Sequence, residues 1–166
     1  MVNETSFEAV YTEHASYVYN LAVRMAQTTA DADDVYQEVF LRVHKFLPGY
    51  RGDGIKAWLR RITVNVFCTQ LRKSKREQPV DEVGAHLSSS ADEPGHLLEQ
   101  SELGPRLAEA LEELSPEIRV AMVLRGVEDL SYQEVAEMLD IPIGTVRSRL
   151  ARGRVQMLRH LEGAVS

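Results

Sequence analysis

The sequence predicts an all-α protein: two small helical domains joined by a flexible acidic linker, the second domain containing a helix-turn-helix. Three observations predict it. Apolar residues recur at helical spacing along most of the chain, and no stretch alternates apolar and polar residues as a half-buried strand would. Residues 77–105 break that periodicity with Pro79, Gly84, Ser88-Ser89-Ser90, Pro94-Gly95 and Gly104-Pro105, the composition of a linker. Residues 130–154 present a cap, a short helix, a tight turn and a basic helix, in the order of a helix-turn-helix. The predicted domains are therefore 1–76 and 106–166, with 77–105 between them.

The first domain reads as three helices. Thr5 and Glu8 predict a capping box, after which Phe7, Val10, Tyr11, His14, Val18, Leu21, Ala22 and Met25 keep helical spacing. His14 on that face is expected to be a packed residue. A second helix starts at Ala30-Asp31-Ala32-Asp33-Asp34, with acids in the first turn where the helix dipole favours them. Its apolar side is Val35, Tyr36, Val39, Phe40, Val43, Phe46 and Leu47, and its other side carries Asp34, Gln37, Glu38, Leu41 and Lys45. Pro48-Gly49 ends it. The loop Tyr50–Gly54 lacks the lysine and hydroxyl residue of a phosphate cradle. A third helix runs from Ile55 past Leu71, buried through Ile55, Trp58, Leu59, Ile62, Val66 and Phe67. Asn65 lies near that stripe, either as a buried amide with partners or as an exposed recognition group.

In the second domain Leu107, Leu111 and Leu114 share a face. Ser115-Pro116 gives an N-cap with proline at the first helical position, Ile118, Ala121, Met122 and Arg125 follow, and Gly126 stops the helix. Ser131 and Glu134 form a capping box, and Leu130 with Val135 a hydrophobic staple. Asp140-Ile141-Pro142 breaks that short acidic helix. The next helix, from Ile143 to about His160, is expected to turn Val146, Leu150, Val155 and Leu158 inward. It carries five arginines (147, 149, 152, 154, 159) and no acid before His160. Arginines on such a helix pair with guanine edges or phosphates. A solvated surface helix is the plainer alternative, and cap, staple, turn and charge segregation together favour DNA reading.

Composition narrows the class. The 166 residues suit two small domains, and the lone Cys68 excludes an internal disulfide or a cysteine-cluster zinc site. The five histidines are scattered, so no metal or other cofactor is expected. No apolar run reaches membrane-span length and no signal peptide opens the chain, which predicts a cytoplasmic protein without membrane insertion. A net charge of −6 argues against tight DNA binding by bulk electrostatics. The charge is blocked, however. Residues 56–76 hold seven basic residues and no acid, and 77–105 hold seven acids and no Lys or Arg. Such blocks read as two basic contact surfaces and an acidic connector.

Asp33-Asp34-Val-Tyr-Gln37-Glu38, Ala57-Trp58-Leu59-Arg60-Arg61-Ile62-Thr-Val-Asn65, Leu111–Arg119, Ser131–Ala136 and Gly144-Thr-Val-Arg-Ser-Arg149 follow one another in an order and spacing that resemble the extracytoplasmic-function sigma factors of the sigma-70 family. The resemblance covers nearly the whole chain. It implies a non-enzymatic factor that binds core RNA polymerase and directs it to promoters by their −10 and −35 elements. It implies polymerase contact by Asp33, Asp34, Gln37, Glu38 and Leu41. It places the melted −10 element on Lys56, Trp58, Arg60, Arg61, Asn65, Arg72 and Lys73. The −35 duplex falls to Thr145, Arg147, Ser148, Arg149, Ala151, Arg152 and Arg154. It also implies an anti-sigma protein as partner, and a linker threading toward the RNA exit path, where its acids would imitate RNA phosphates. About 29 linker residues reach at most ~95 Å, enough for two elements within ~70 Å of each other. Two departures stand out: Thr69 where the family often has aspartate, and Asp140 where its turn often has glycine, a position aspartate tolerates in the left-handed conformation. The competing reading is a dimeric one-component repressor that needs no polymerase. An enzyme is the weakest, lacking a nucleophile–base set.

Overall fold

The computed structural model describes residues 6–52, 54–77 and 104–165. Among these it contains helices and turns and no strand. Three helices form the first body: α1 (Phe7–Met25), α2 (Thr29–Phe46) and α3 (Ile55–Glu77), with a 3-10 turn at Leu47–Gly49 after α2. Ser6 caps α1, its hydroxyl accepting from the Ala9 N–H at 3.2 Å. The cap is thus one residue later than predicted, and Thr5 lies outside the described residues. Thr28 caps α2 in the same way through the Asp31 N–H at 3.1 Å. Each cap satisfies one of the amide donors that a helix start leaves open. Val18, Leu21, Ala22 and Met25 of α1 meet Val35, Val39 and Val43 of α2 and Leu59, Val64 and Val66 of α3 in the core. Thr63 is fully buried there, and its hydroxyl donates to the Leu59 carbonyl at 2.7 Å, which removes the cost of burying it.

Four helices form the second body: α4 (Pro105–Glu112), α5 (Pro116–Gly126), α6 (Tyr132–Leu139) and α7 (Ile143–Val165). Proline opens α4 and α5, where its missing N–H costs nothing. Ser115 adopts the cap conformation, but its hydroxyl makes no cap bond. The helix α7 is the spine, packing against α4, α5 and α6.

The inward stripe of α7 differs from the expected one. Val146, Leu150, Gly153 and Met157 are buried, whereas Val155 and Leu158 are 48% and 57% exposed. Steps of three and four residues from Val146 reach Gly153, which a count of apolar residues passes over. A Cβ at Gly153 would lie 2.7 Å from the Met122 side chain and 3.0 Å from Ile118, so the missing side chain is what lets α7 approach α5. Phe46 also departs from expectation. It sits in the last turn of α2 and is 53% exposed. Tyr11 is exposed by the same measure, although its ring packs edge-on against Phe40 at 5.0 Å. Leu107 lies at the surface while Ala108, Ala110 and Leu111 face inward.

The two bodies touch. α1 packs on α5 and α3 on α6, and the buried apolar residues of both form one continuous cluster. Arg119 sits at the seam, 1% exposed. Its guanidinium donates to the carbonyls of Leu111 (2.8 Å), Glu112 (2.7 Å) and Leu114 (3.2 Å) in its own body, and to Ala26 (2.9 Å) and Met25 (3.4 Å) at the end of α1. It thereby satisfies carbonyls that a helix end leaves open. Burial lowers its pKa to about 10, with Glu112 opposing, so the charge persists at neutral pH. From 78 to 103 the residues predicted as connector lie outside the described residues.

Candidate nucleic-acid interface

The helix-turn-helix is built from local bonds. Ser131 Oγ accepts from the Glu134 N–H at 3.1 Å, and Glu134 Oε1 accepts from the Ser131 N–H at 2.9 Å. Both halves of the capping box are present. The bond from the Ser131 N–H, and then the Ser131 hydroxyl, hold the Glu134 carboxyl below its ordinary range, with Arg60 adding in the same direction. Leu130 and Val135, the staple pair, are both buried. Asp140 takes the left-handed conformation at φ 55°, and the following Ile141 N–H returns to the Ala136 carbonyl at 3.1 Å, closing the helix end.

This turn aims α7. Val146 and Leu150 anchor it, so Arg147, Ser148, Ala151 and Arg152 line one exposed face. Ser148 donates to the Thr145 carbonyl at 3.2 Å and accepts from Arg152 at 3.3 Å. Arg154 is exposed but donates to the Tyr132 hydroxyl at 2.7 Å, with Arg125 over the Tyr132 ring at 5.7 Å. Thr145 and Arg149 are half-buried. Arg149 reaches toward α3, where with Arg72 it draws down a Cys68 thiol that burial pushes up. Cys68 therefore stays a protonated thiol at neutral pH. Five of the seven −35 candidates are exposed, and Arg154 lies two helical turns beyond Arg147 on the same side; Thr145 and Arg149 are half-buried.

The −10 candidates lie along α3. Arg61, Asn65, Arg72 and Lys73 are exposed, which removes the buried-amide reading of Asn65. Lys56 stands over the Tyr17 ring at 4.7 Å, and Trp58 packs against Tyr50 at 4.7 Å. Arg60 is largely enclosed. Its Nη1 lies 3.4 Å from Glu128 Oε1, an oxygen that also accepts from the Tyr17 hydroxyl. Burial, then the Glu128 carboxylate, holds the Tyr17 phenol far above its ordinary pKa, so it donates as the neutral form. Tyr17 and Glu128 were not predicted. They are 111 residues apart, and nothing local marks either one.

On α2, Asp33, Asp34, Gln37 and Leu41 are exposed, Leu41 at 66%. Glu38 is half-buried and pairs with Arg42 at 3.1 Å. Asp33 accepts from Tyr19 at 3.3 Å. Leu41, Lys45 and the unpredicted Phe46 continue this face as a shallow groove. His14 is half-buried beside Glu13, at 3.9 Å. Among the described residues no group of His, Cys, Asp and Glu is arranged to hold a metal ion, and no helix is long and apolar enough to cross a membrane.

Fold and surface define a class: a two-body helical transcription protein that presents a basic reading helix after a tight turn. Comparison with known proteins makes it specific. The family described as Sigma-70 region 2 matches residues 10–77, and Sigma-70, region 4 matches 105–157. The chain is 37% identical over 158 residues to the ECF RNA polymerase sigma factor SigE of Mycolicibacterium smegmatis. That match takes in 94% of this chain and 62% of the relative's length. It is 32% identical over 162 residues to the ECF RNA polymerase sigma-E factor of Escherichia coli strain K12, covering 92% of this chain and 84% of that protein. A co-crystal structure of the sigma factor RpoE with the anti-sigma factor NepR from Bartonella quintana superposes with a TM-score of 0.69 at 27% identity. The match covers 94% of this chain and 96% of that one. The chain belongs to the sigma-70 family, in its extracytoplasmic-function class. It is a non-enzymatic sigma factor that directs promoter-specific transcription initiation.

Proposed function

We propose a division of labour within that role. The first domain, residues 1–76, holds core polymerase through Asp33, Asp34, Gln37, Glu38 and Leu41, and takes the melted −10 strand on α3. The second, residues 106–166, reads the −35 duplex with the Arg147, Ser148, Ala151 and Arg152 face of α7. The acidic connector 77–105 spans the two. The observation that carries this reading is the open basic row on a helix that follows a capped helix and a left-handed turn, which suits entry into a major groove. On α2 the exposed acids Asp33 and Asp34 share a helix with the exposed Leu41, and such acids suit a basic partner surface. The setting is the cytoplasm, and an anti-sigma protein is the expected regulator, since the RpoE relative is solved with one.

Two variants separate the roles. Arg147→Ala weakens −35-dependent transcription by about 1–3 kcal/mol in promoter affinity if it pairs with a guanine, and leaves capture by core polymerase intact. Leu41→Asp does the reverse, losing polymerase in a pull-down while the folded second domain is untouched. Loss of polymerase binding in Arg147→Ala would overturn the assignment.

A further inference from the structure

The helix α6 and the loop before it are acidic, through Glu128, Asp129, Glu134 and Glu137. The structure places that acid against the basic helix of the other domain. Glu128 ends the turn after α5 with its side chain only 6% exposed, and reaches across the seam to Arg60 at 3.4 Å and to the Tyr17 hydroxyl. Trp58, Arg60 and Arg61 form one wall of a cleft of about 410 Å³, and Leu130, Glu134, Glu137 and Met138 line it opposite. The seam is held elsewhere too, by Arg119 on the α1 carbonyls and by an ion pair of Lys75 with Glu117. Arg60 is incompletely satisfied in this arrangement, since its buried Nε has no partner among the described residues. A guanidinium held by one carboxylate oxygen, with a donor to spare, is a contact that a better partner can displace.

We propose that Glu128 is an intramolecular latch standing in for a phosphate of the −10 strand. In the free chain it occupies Arg60 and closes the domains on one another, with Glu134 and Glu137 facing the same basic wall. The strand is admitted once polymerase draws the second domain away. This inference rests on the reading of α3 as the −10 helix. It also accounts for the charge balance, because a chain whose acids cover its own cations has little left for stray DNA.

The test uses the full-length chain. Glu128→Ala and the near-isosteric Glu128→Gln are compared with wild type by circular dichroism, by small-angle scattering for the radius of gyration, and by anisotropy with a short fluorescein-labelled single-stranded DNA of randomised sequence. The latch predicts unchanged helicity, a larger radius of gyration, and about tenfold tighter single-strand binding in Glu128→Ala, which is ~1.4 kcal/mol. Glu128→Gln shows a smaller shift in the same direction. Folded variants with unchanged size and affinity overturn the latch. Opening without a gain in affinity overturns the competition for Arg60. Adding Arg61→Ala to the opened chain then tells the two readings apart. If that change weakens single-strand binding, the −10 assignment stands and only the latch falls. If it has no effect, the −10 assignment falls as well.

Discussion

A side chain at position 153 would have to displace Met122 and Ile118, and that contact sets how closely the reading helix lies on α5. Filling it is therefore costly even though valine is apolar and the site is buried. Gly153→Val is expected to destabilise the second domain by about 1–3 kcal/mol through overpacking, seen as a lowered Tm in thermal circular dichroism. An unchanged or higher Tm would show that α7 is not seated through this glycine. Residue-scale signals were legible in sequence where they are local. Ser131 and Glu134 announced a cap and a box from their neighbours alone, whereas the left-handed turn at Asp140 came from the family resemblance. Gly153 announced nothing, because a glycine scores as neither apolar nor polar, and Val155 and Leu158 drew the expected stripe a quarter-turn away from the true one. Arg119 read as an ordinary helix residue, since its five carbonyl partners are assembled only by the fold.

At the scale of an element, α6 is too short to be helical by propensity alone, as isolated helices of this length are marginal in water. Its caps carry the difference. Ser131→Ala removes one cap bond and is expected to cost about 1 kcal/mol, measured as a shift in denaturant midpoint with unchanged m-value. The same cap gives the element an acid dependence. Glu134 has a folded pKa below its ordinary value, so the stability it adds is complete above the ordinary carboxylate range and is lost as pH falls through the depressed folded value. Glu134→Gln should flatten the acid limb of the stability profile, and an unchanged limb would contradict the assignment. The face of α2 was half legible. The acids and Leu41 lay where the helical period put them, whereas Phe46 fell on the apolar side of the wheel. The last turn of α2 keeps a partner on one side, where Phe7 packs edge-on against His44, but Phe46 falls outside that contact.

At the scale of the molecule, the sequence divides into two basic blocks and one acidic one, and both domains and the kind of surface each carries followed from that division with the helix-turn-helix. Their docking did not. Tyr17, Arg60 and Glu128 meet through tertiary contacts, and no periodicity in one segment points to a partner in another. This negatively charged chain acts on promoters as part of a larger enzyme. In vitro transcription of genomic DNA, with transcripts sequenced, tests that directly. Core polymerase with the chain should give transcripts from a small set of start sites that are absent with either component alone. The same start sites from core polymerase alone, or tight promoter binding by the chain with no gain from polymerase, would contradict it.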